Sequence, residues 1–161
     1  TFLGSGVRSH ELADLQMGDL RIGRGENAIN IRHGKGDKFR IVAITERLKN
    51  HLLDFIRWKT AIGESLEPNA PLFISERKRA YCTRAIRYLF KRCLRRAGLS
   101  ARFGVHSLRH FHLTELYTAT KDIRLIQEQA GHRSISTSSL YCHISLSDRQ
   151  QVVSTLFEGF R

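Results

Sequence analysis

The chain lacks most of the features that mark secreted, membrane-spanning or metal-binding proteins. Its three cysteines are odd in number and lack metal-ligand spacing, which favours reduced thiols in a cytosolic protein; they are Cys82, Cys93 and Cys142. The apolar runs are short and are broken by Arg, Lys or Glu, so neither a membrane span nor a signal peptide is predicted. No cluster of Asp and Glu indicates a divalent-cation site.

Acidic residues are also few beside the basic ones. Lys plus Arg number 27 against 15 Asp plus Glu, which gives a formal net charge of +12 over 161 residues. This excess indicates a polyanionic partner, and nucleic acid is favoured. A ribosome-associated protein or a protein of anionic membranes would carry a similar charge. The length suits one domain with its own core.

Apolar patterning predicts a mainly α chain with one small antiparallel β-sheet, the α+β class. Strands are predicted over residues 20–22, 28–32 and 39–44, and the glycine-containing segment 33–38 joins the last two as a hairpin. The predicted helices cover residues 9–15, 45–61, 83–97, 107–117, 123–130, 136–142 and 147–157. Their predicted caps are Ser9, Thr45, Thr83 and Asp122 at the starts, and Gly98 and Gly131 at the ends. Cys93 is expected on the buried face of the helix over 83–97.

Six chemically useful side chains lie where the predicted elements begin, turn or end. They are Arg8, Lys35, His106, Arg109, His132 and Tyr141. Taken singly, each has an ordinary explanation as solvated charge, a satisfied histidine or a core tyrosine. His106 and Arg109 are three residues apart and therefore share a helix face. The interpretation depends on the whole set and on its order along the chain.

Such a set suits attack on a phosphodiester. Two guanidinium groups can hold the non-bridging oxygens through paired hydrogen bonds and stay protonated throughout. Histidines can donate to the same oxygens or move a proton near neutral pH. A lysine can protonate the departing oxygen, and a tyrosine phenol can attack phosphorus and hold the strand covalently. This chemistry requires no metal ion and no other cofactor.

Four short motifs resemble those of the tyrosine recombinase family, which includes the phage integrases. Residues 6–12 resemble its first arginine motif, and residues 34–38, followed by Arg40, resemble its hairpin lysine motif. Residues 106–110 resemble its central His-x-x-Arg box. Residues 130–143 resemble its closing motif, which contains the tyrosine. Each motif is weak alone, but the four occur in the family's order over nearly the whole chain.

The resemblance implies a role for each position of the set. Arg8 and Arg109 would clamp the scissile phosphate, and His132 would bond one of its non-bridging oxygens. Tyr141 would attack and form a 3′-phosphotyrosine link. Lys35 would be the general acid toward the 5′-hydroxyl, and His106 would assist proton transfer. Glu11, one turn after Arg8, would support the arginines or the histidines.

The resemblance also implies partners and organisation. Residues 1–161 would adopt the tyrosine recombinase catalytic-domain fold, with an N-terminal core-binding domain outside this chain. Double-stranded DNA would be cut and rejoined without ATP by a homo-tetramer in the cytoplasm of a bacterial, phage or archaeal system, with no membrane partner. The apolar tail, about residues 146–161, would dock on a neighbouring protomer or fold back on its own domain. Whether the isolated chain is a monomer stays open.

DNA contacts are expected along the helix over residues 83–97. Arg84 and Arg87 are predicted to meet the major groove, and Lys91, with Lys38 near the hairpin, to meet DNA at its backbone. A solvated basic face would show the same pattern.

Two other functions fit part of the evidence. A type IB topoisomerase shares the arginine, lysine and tyrosine chemistry, but the Gly-His pair before Tyr141 favours a recombinase. A DNA-binding regulator that has lost catalysis would keep the charge, but the complete set of six residues argues against it.

Overall fold

The computed structural model describes residues 1–34 and 38–141, and it has the predicted class: helices around one three-stranded antiparallel sheet. The α-helices are α1 (Phe2–Ser5), α2 (Ser9–Ala13), α3 (Glu46–Ala61), α4 (Thr83–Arg96), α5 (Val105–Thr120), α6 (Ile123–Ala130) and α7 (Ile135–Ser138). Short 3₁₀ turns cover Met17–Asp19 and Ser139–Tyr141. Within the described residues, no helix is both long and apolar enough to cross a membrane.

The sheet is a meander of β1 (Leu20–Arg21), β2 (Ala28–Ile31) and β3 (Arg40–Ala43) in the order β1-β2-β3. The predicted hairpin of β2 and β3 is confirmed, and each strand is slightly shorter than predicted. Ile29 pairs with Val42 and Ile31 with Arg40, so these four side chains share one face. The three apolar members are almost fully buried, which makes this face the floor of the core.

Two apolar clusters hold the helices in place. The larger one joins the buried sheet face to α2, α3 and α4 through residues such as Leu12, Leu48 and Ile86. The smaller one joins α5 to α6 through Leu113, Tyr117, Ile126 and Ala130, and the ring of Tyr141 packs against it. The second cluster thus brings the end of the described chain back onto α5 and α6.

Two predicted helix caps are confirmed in detail. The Thr45 hydroxyl accepts a hydrogen bond from the Leu48 amide at 3.2 Å at the start of α3. The Asp122 carboxylate accepts from the amides of Arg124 and Leu125 at the start of α6. Gly131 ends α6 in the left-handed region, with φ 61°.

Other predicted helix ends were wrong by a few residues. Arg8, rather than Ser9, precedes α2, because the Glu11 carboxylate accepts from the Arg8 amide at 2.7 Å and replaces the serine oxygen as a cap. Cys82, rather than Thr83, precedes α4. The helix predicted over 107–117 extends over Val105–Thr120, and the one predicted over 136–142 is α7 followed by a 3₁₀ turn. The helix predicted over 147–157 lies outside the described residues.

The expectation for Cys93 was also wrong, because its side chain is exposed. In α4 only Ile86 and Leu94 are buried, so the buried stripe is narrower than the apolar pattern suggested. Cys93 lies beside that stripe, next to the arginines of the solvent face.

The side chain of Gln129 fastens α6 to the free edge of the sheet. Its Nε2 donates to the Ala43 carbonyl at 2.7 Å and to the Ser5 carbonyl at 3.2 Å, and its Oε1 accepts from the Ala43 amide at 3.0 Å. One buried amide therefore joins α6, β3 and the end of α1. This joint fixes the position of the segment after α6 relative to the start of α2.

Candidate active site

Arg109 lies at the centre of the candidate site, on α5, and only 5% of its surface is exposed. Its Nη1 donates to the Gly6 carbonyl at 2.5 Å, and its Nη2 donates to the Ala130 carbonyl at 2.7 Å. Burial, followed by the positive charge of Arg8, lowers the pKa of Arg109 to about 10. The guanidinium is thus fixed between the ends of α1 and α6 and stays charged at neutral pH.

Arg8 is held by a carboxylate that it shares with a second arginine. Glu11 Oε1 accepts from Arg8 Nη1 and from Arg40 Nη1, each at 2.8 Å, and its Oε2 accepts from Arg40 Nη2 at 2.9 Å. The Glu11 side chain is fully buried. Burial alone would raise its pKa, but the hydrogen bonds from Arg40 and Arg8 outweigh that effect and lower the pKa to about 2. Glu11 is therefore an anion at every physiological pH.

Arg40 belongs to this network, although it was not among the predicted site residues. Besides its two bonds to Glu11, its Nε donates to the Gln129 carbonyl at 3.4 Å. A Cβ atom on Gly131 would lie 2.9 Å from Arg40 Cδ, so the guanidinium stem packs directly against the glycine backbone. The signal was available: strand alternation places Arg40 on the buried face with Val42, where a charge requires an anionic partner.

His132 follows Gly131 and faces Arg109. Its Nε2 lies 3.4 Å from Arg109 Nη2, and its Nδ1 lies 3.0 Å from the Ser138 hydroxyl. The Ser138 contact, from the first turn after α6, orients the imidazole toward the arginine. The chain turns sharply after α6, and the left-handed conformation of Gly131 makes this turn possible.

Tyr141 packs beside these groups against two histidine rings. Its ring centroid is 6.1 Å from that of His132, with the planes 12° apart, and 5.0 Å from that of His110, with the planes 54° apart. His110 was not among the predicted site residues. Its place directly after Arg109, on the exposed side of α5, is the only sequence signal for this contact.

A cleft of about 250 Å³ opens over the arginines. It is lined by four of the predicted residues, Arg8, His106, Arg109 and His132, and also by Arg133, Ser134 and Thr137. Tyr141 lies next to the cleft through its contact with His132. Lys35 lies outside the described residues, but Gly34 and Lys38 on either side of it close the hairpin with a 3.1 Å hydrogen bond. Among residues 1–34 and 38–141, His, Cys, Asp and Glu form no group that could hold a metal ion.

The arrangement is suited to an oxyanion. Arg8, Arg109 and Arg133 present positive charge at the cleft, and the carboxylate of Glu11 lies behind Arg8 rather than in the opening. Guanidinium and imidazole N–H groups fixed around a small cleft can stabilise negative charge on phosphoryl oxygens.

The basic face of α4 borders the cleft. Arg87 and His106 line a small depression between α4 and the start of α5, and the side chains of Arg84 and Arg87 are exposed. Lys91 differs from them, because its ammonium donates to the carbonyls of Ala101 and Phe103. It therefore ties the segment before α5 to α4.

Comparison with known proteins identifies relatives of this chain. The model of the phage integrase family matches residues 1–147. The tyrosine recombinase XerC of Thermodesulfovibrio yellowstonii is 35% identical over 148 residues, which are 90% of this chain and 48% of the relative. The chain spans about half the length of the curated relatives it matches.

Solved structures share the same fold. The XerA recombinase superposes with a TM-score of 0.76 at 30% identity, over 96% of this chain and 55% of that one. The XerH site-specific recombinase, in a pre-cleavage complex with its difH substrate, gives a TM-score of 0.72 at 27% identity, over 98% of this chain and 44% of that one.

Proposed function

We propose, from the premise that this chain belongs to the phage integrase family, that it is the catalytic domain of a site-specific recombinase. Such an enzyme would cut and rejoin double-stranded DNA through a phosphotyrosine intermediate. The observation that carries the proposal is the convergence of Arg8, His106, Arg109 and His132 on one cleft beside Tyr141. These residues come from segments up to about 130 positions apart, and a solvated basic face gives no reason for them to meet.

The two arginines would bind the non-bridging oxygens of the scissile phosphate. Arg109 is fixed by two backbone carbonyls and Arg8 by Glu11, so neither guanidinium has to reorganise when charge builds up. His132, directed toward Arg109, would donate to one of the same oxygens. Glu11 would act as the support that its burial and its four hydrogen bonds suggest.

Tyr141 would attack phosphorus. A bond forms from the phenolic oxygen to phosphorus, and the bond from phosphorus to the 5′-oxygen breaks. The phenolic proton would pass to His106, which is exposed at the cleft edge, and Lys35 would give a proton to the departing 5′-oxygen. The 5′-hydroxyl of a partner duplex would then reverse the step, which explains how strands are exchanged without ATP or metal.

DNA contacts beyond the phosphate would come from α4. Arg84 and Arg87 are exposed beside the cleft, which supports their assignment to DNA, whereas Lys91 would act within the protein. Lys38, exposed next to the hairpin tip, would meet the DNA backbone. Assembly as a homo-tetramer on DNA, a core-binding domain outside residues 1–161, docking of the tail over residues 146–161 and a cytoplasmic location belong to the same proposal.

Covalent capture tests the central claim. Duplexes from the region flanking the gene, nicked close to each candidate cleavage position, would be incubated with the chain and resolved on a denaturing gel. We expect a covalent adduct that is absent with Tyr141→Phe and unaffected by EDTA. Binding without any adduct would show a silent regulator, and relaxation of plasmids without a specific site would show a topoisomerase.

A further inference from the structure

A groove adjoins the candidate active site and is not used by the mechanism above. It lies between β3 and the end of α6, has a volume of about 740 Å³, and shares Gly131, His132 and Arg133 with the cleft. We refer to it as the hairpin groove. Its size falls within the range of small-molecule pockets, roughly 300–1,000 Å³.

Two apolar side chains form one wall of the hairpin groove. Phe39 and Ile41 alternate with Arg40 and Val42, so they point to the outer face of the sheet. They are 61% and 47% exposed, respectively. Phenylalanine and isoleucine side chains that are exposed next to each other at the edge of a polar cleft indicate a surface that binds a ligand.

The polar lining of the hairpin groove suits a nucleotide. Lys38 and Arg133 are exposed at its edges, where they can meet phosphates. Glu128 of α6 offers a carboxylate that can pair with the edge of a base, and Gln127, whose Nε2 donates to the His132 carbonyl at 3.2 Å, offers its side-chain oxygen. A phenylalanine face with flanking cations is the combination that proteins use to hold unpaired nucleotides.

We propose that the hairpin groove holds the unpaired nucleotide that carries the 5′-hydroxyl after cleavage, with its base stacked on Phe39. The inference rests on the proposed function. Strand exchange requires this nucleotide to leave its complement, and its 5′-oxygen must then reach the phosphorus of an adduct on a partner duplex. A base that has lost its stack needs another one, and the groove supplies it directly beside His132.

The test measures strand joining with the captured duplex. Phe39→Ala is expected to slow the attack of the 5′-hydroxyl on the adduct by about 5- to 150-fold, which corresponds to the loss of one base–aromatic stack. Phe39→Trp should retain the rate. Phe111→Ala is the matched control, because Phe111 is similarly exposed, at 56%, but lines neither the cleft nor the groove.

An abasic nucleotide at the same position makes the test specific. It should slow the wild-type chain about as much as Phe39→Ala does, and it should abolish the difference between the two proteins. 2-Aminopurine placed there should be quenched in the wild-type adduct and become brighter in Phe39→Ala.

Each contrary result has its own meaning. Equal slowing of normal and abasic substrates by Phe39→Ala would show that the groove binds protein, such as a second copy of the chain, and would overturn the inference. Unchanged joining by Phe39→Ala, with a Tyr141-dependent adduct, would overturn it and leave the proposed function standing. The absence of any adduct from the wild-type chain would overturn both.

Discussion

The two sides of the cleft are built differently. On one side, Arg8 is fixed by the buried carboxylate of Glu11, and Arg109 is fixed by the backbone carbonyls of Gly6 and Ala130. On the other side, His106 is exposed, and Tyr141 is half-buried against two histidine rings. The groups that only have to carry charge are held rigidly, whereas the groups proposed to transfer protons or form bonds are accessible.

This contrast has a physical reason. Charge stabilisation is strongest when donors are aimed before the reaction begins, because no reorganisation is then needed at the transition state. Proton transfer and covalent attack require atoms to approach the substrate, which a fully bonded side chain cannot do. We therefore expect substitutions on the arginine side to affect both stability and cleavage, and substitutions on the other side to affect cleavage alone.

The largest effect is expected for Arg109→Ala. Loss of the clamp should lower single-turnover adduct formation by about 10³-fold, the upper range for removal of one oxyanion donor. The Gly6 and Ala130 carbonyls would also lose a partner, so the free energy of unfolding in urea should fall by about 1–3 kcal/mol. Arg57→Ala, on the exposed face of α3, is the control and should change neither. A normal cleavage rate in Arg109→Ala would contradict the proposal that Arg109 stabilises charge on the phosphate.

Glu11→Gln should lower the free energy of unfolding by an amount that depends on pH. The Glu11 pKa falls from 4.5 to about 2 on folding, so the carboxylate stabilises the fold above pH 4.5 and loses this effect as the pH falls toward 2. The difference corresponds to about 3 kcal/mol at neutral pH. Urea unfolding of both proteins at several pH values should show a gap that narrows only below pH 4.5. A constant gap down to pH 2.5 would mean that the carboxylate is not held in this way.

Lys35→Ala tests the groups that are proposed to transfer protons. Removal of a general acid should lower cleavage by about 10²-fold without a change in unfolding free energy. A substrate with sulfur in place of the 5′-bridging oxygen should restore the rate, because a thiol has a pKa of about 8.5 and leaves without a proton. Lys38→Ala, on the same hairpin, should show no such rescue. If sulfur fails to rescue Lys35→Ala, the lysine has another role.

The smallest effects are expected on α4. Arg87→Ala should weaken DNA binding by a few-fold and lower the slope of log affinity against log salt by about one. Lys91→Ala should leave that slope unchanged and lower stability, because its ammonium bonds carbonyls of the chain. Fluorescence anisotropy over a salt series separates the two. An equal change of slope in both variants would return Lys91 to the DNA-contacting set.

Local signals in the sequence were sufficient for much of the fold. The hairpin follows from β-branched strands around glycines, and α6 follows from Asp122 before it and Gly131 after it. The motifs also placed four of the predicted residues on one cleft. The hairpin and α6 could be predicted because each depends on residues within a few positions of one another, whereas the residues of the cleft were grouped by the family resemblance alone.

The parts that were missed depend on distant contacts. Strand alternation indicates that Arg40 is buried, but no local pattern shows that it pairs with Glu11 across 29 positions or that Gln129 bonds Ala43 across 86. Cys93 was assigned to the core because periodicity does not show how wide a stripe the neighbouring elements cover. The prediction of Ser9 as the cap was wrong because a residue inside α2, Glu11, accepts the hydrogen bond from the Arg8 amide at the start of the helix.

The amide of Gln129 has a consequence for the free edge of the sheet. β3 is an outer strand, and the unpaired N–H and C=O groups of such a strand form a template on which a strand of another chain can add. The side chain occupies both backbone groups of Ala43, so a foreign strand would have to displace it before it could extend the sheet. The same hydrogen bonds that position the segment after α6 thereby occupy this part of the sheet edge, where a foreign strand would otherwise pair.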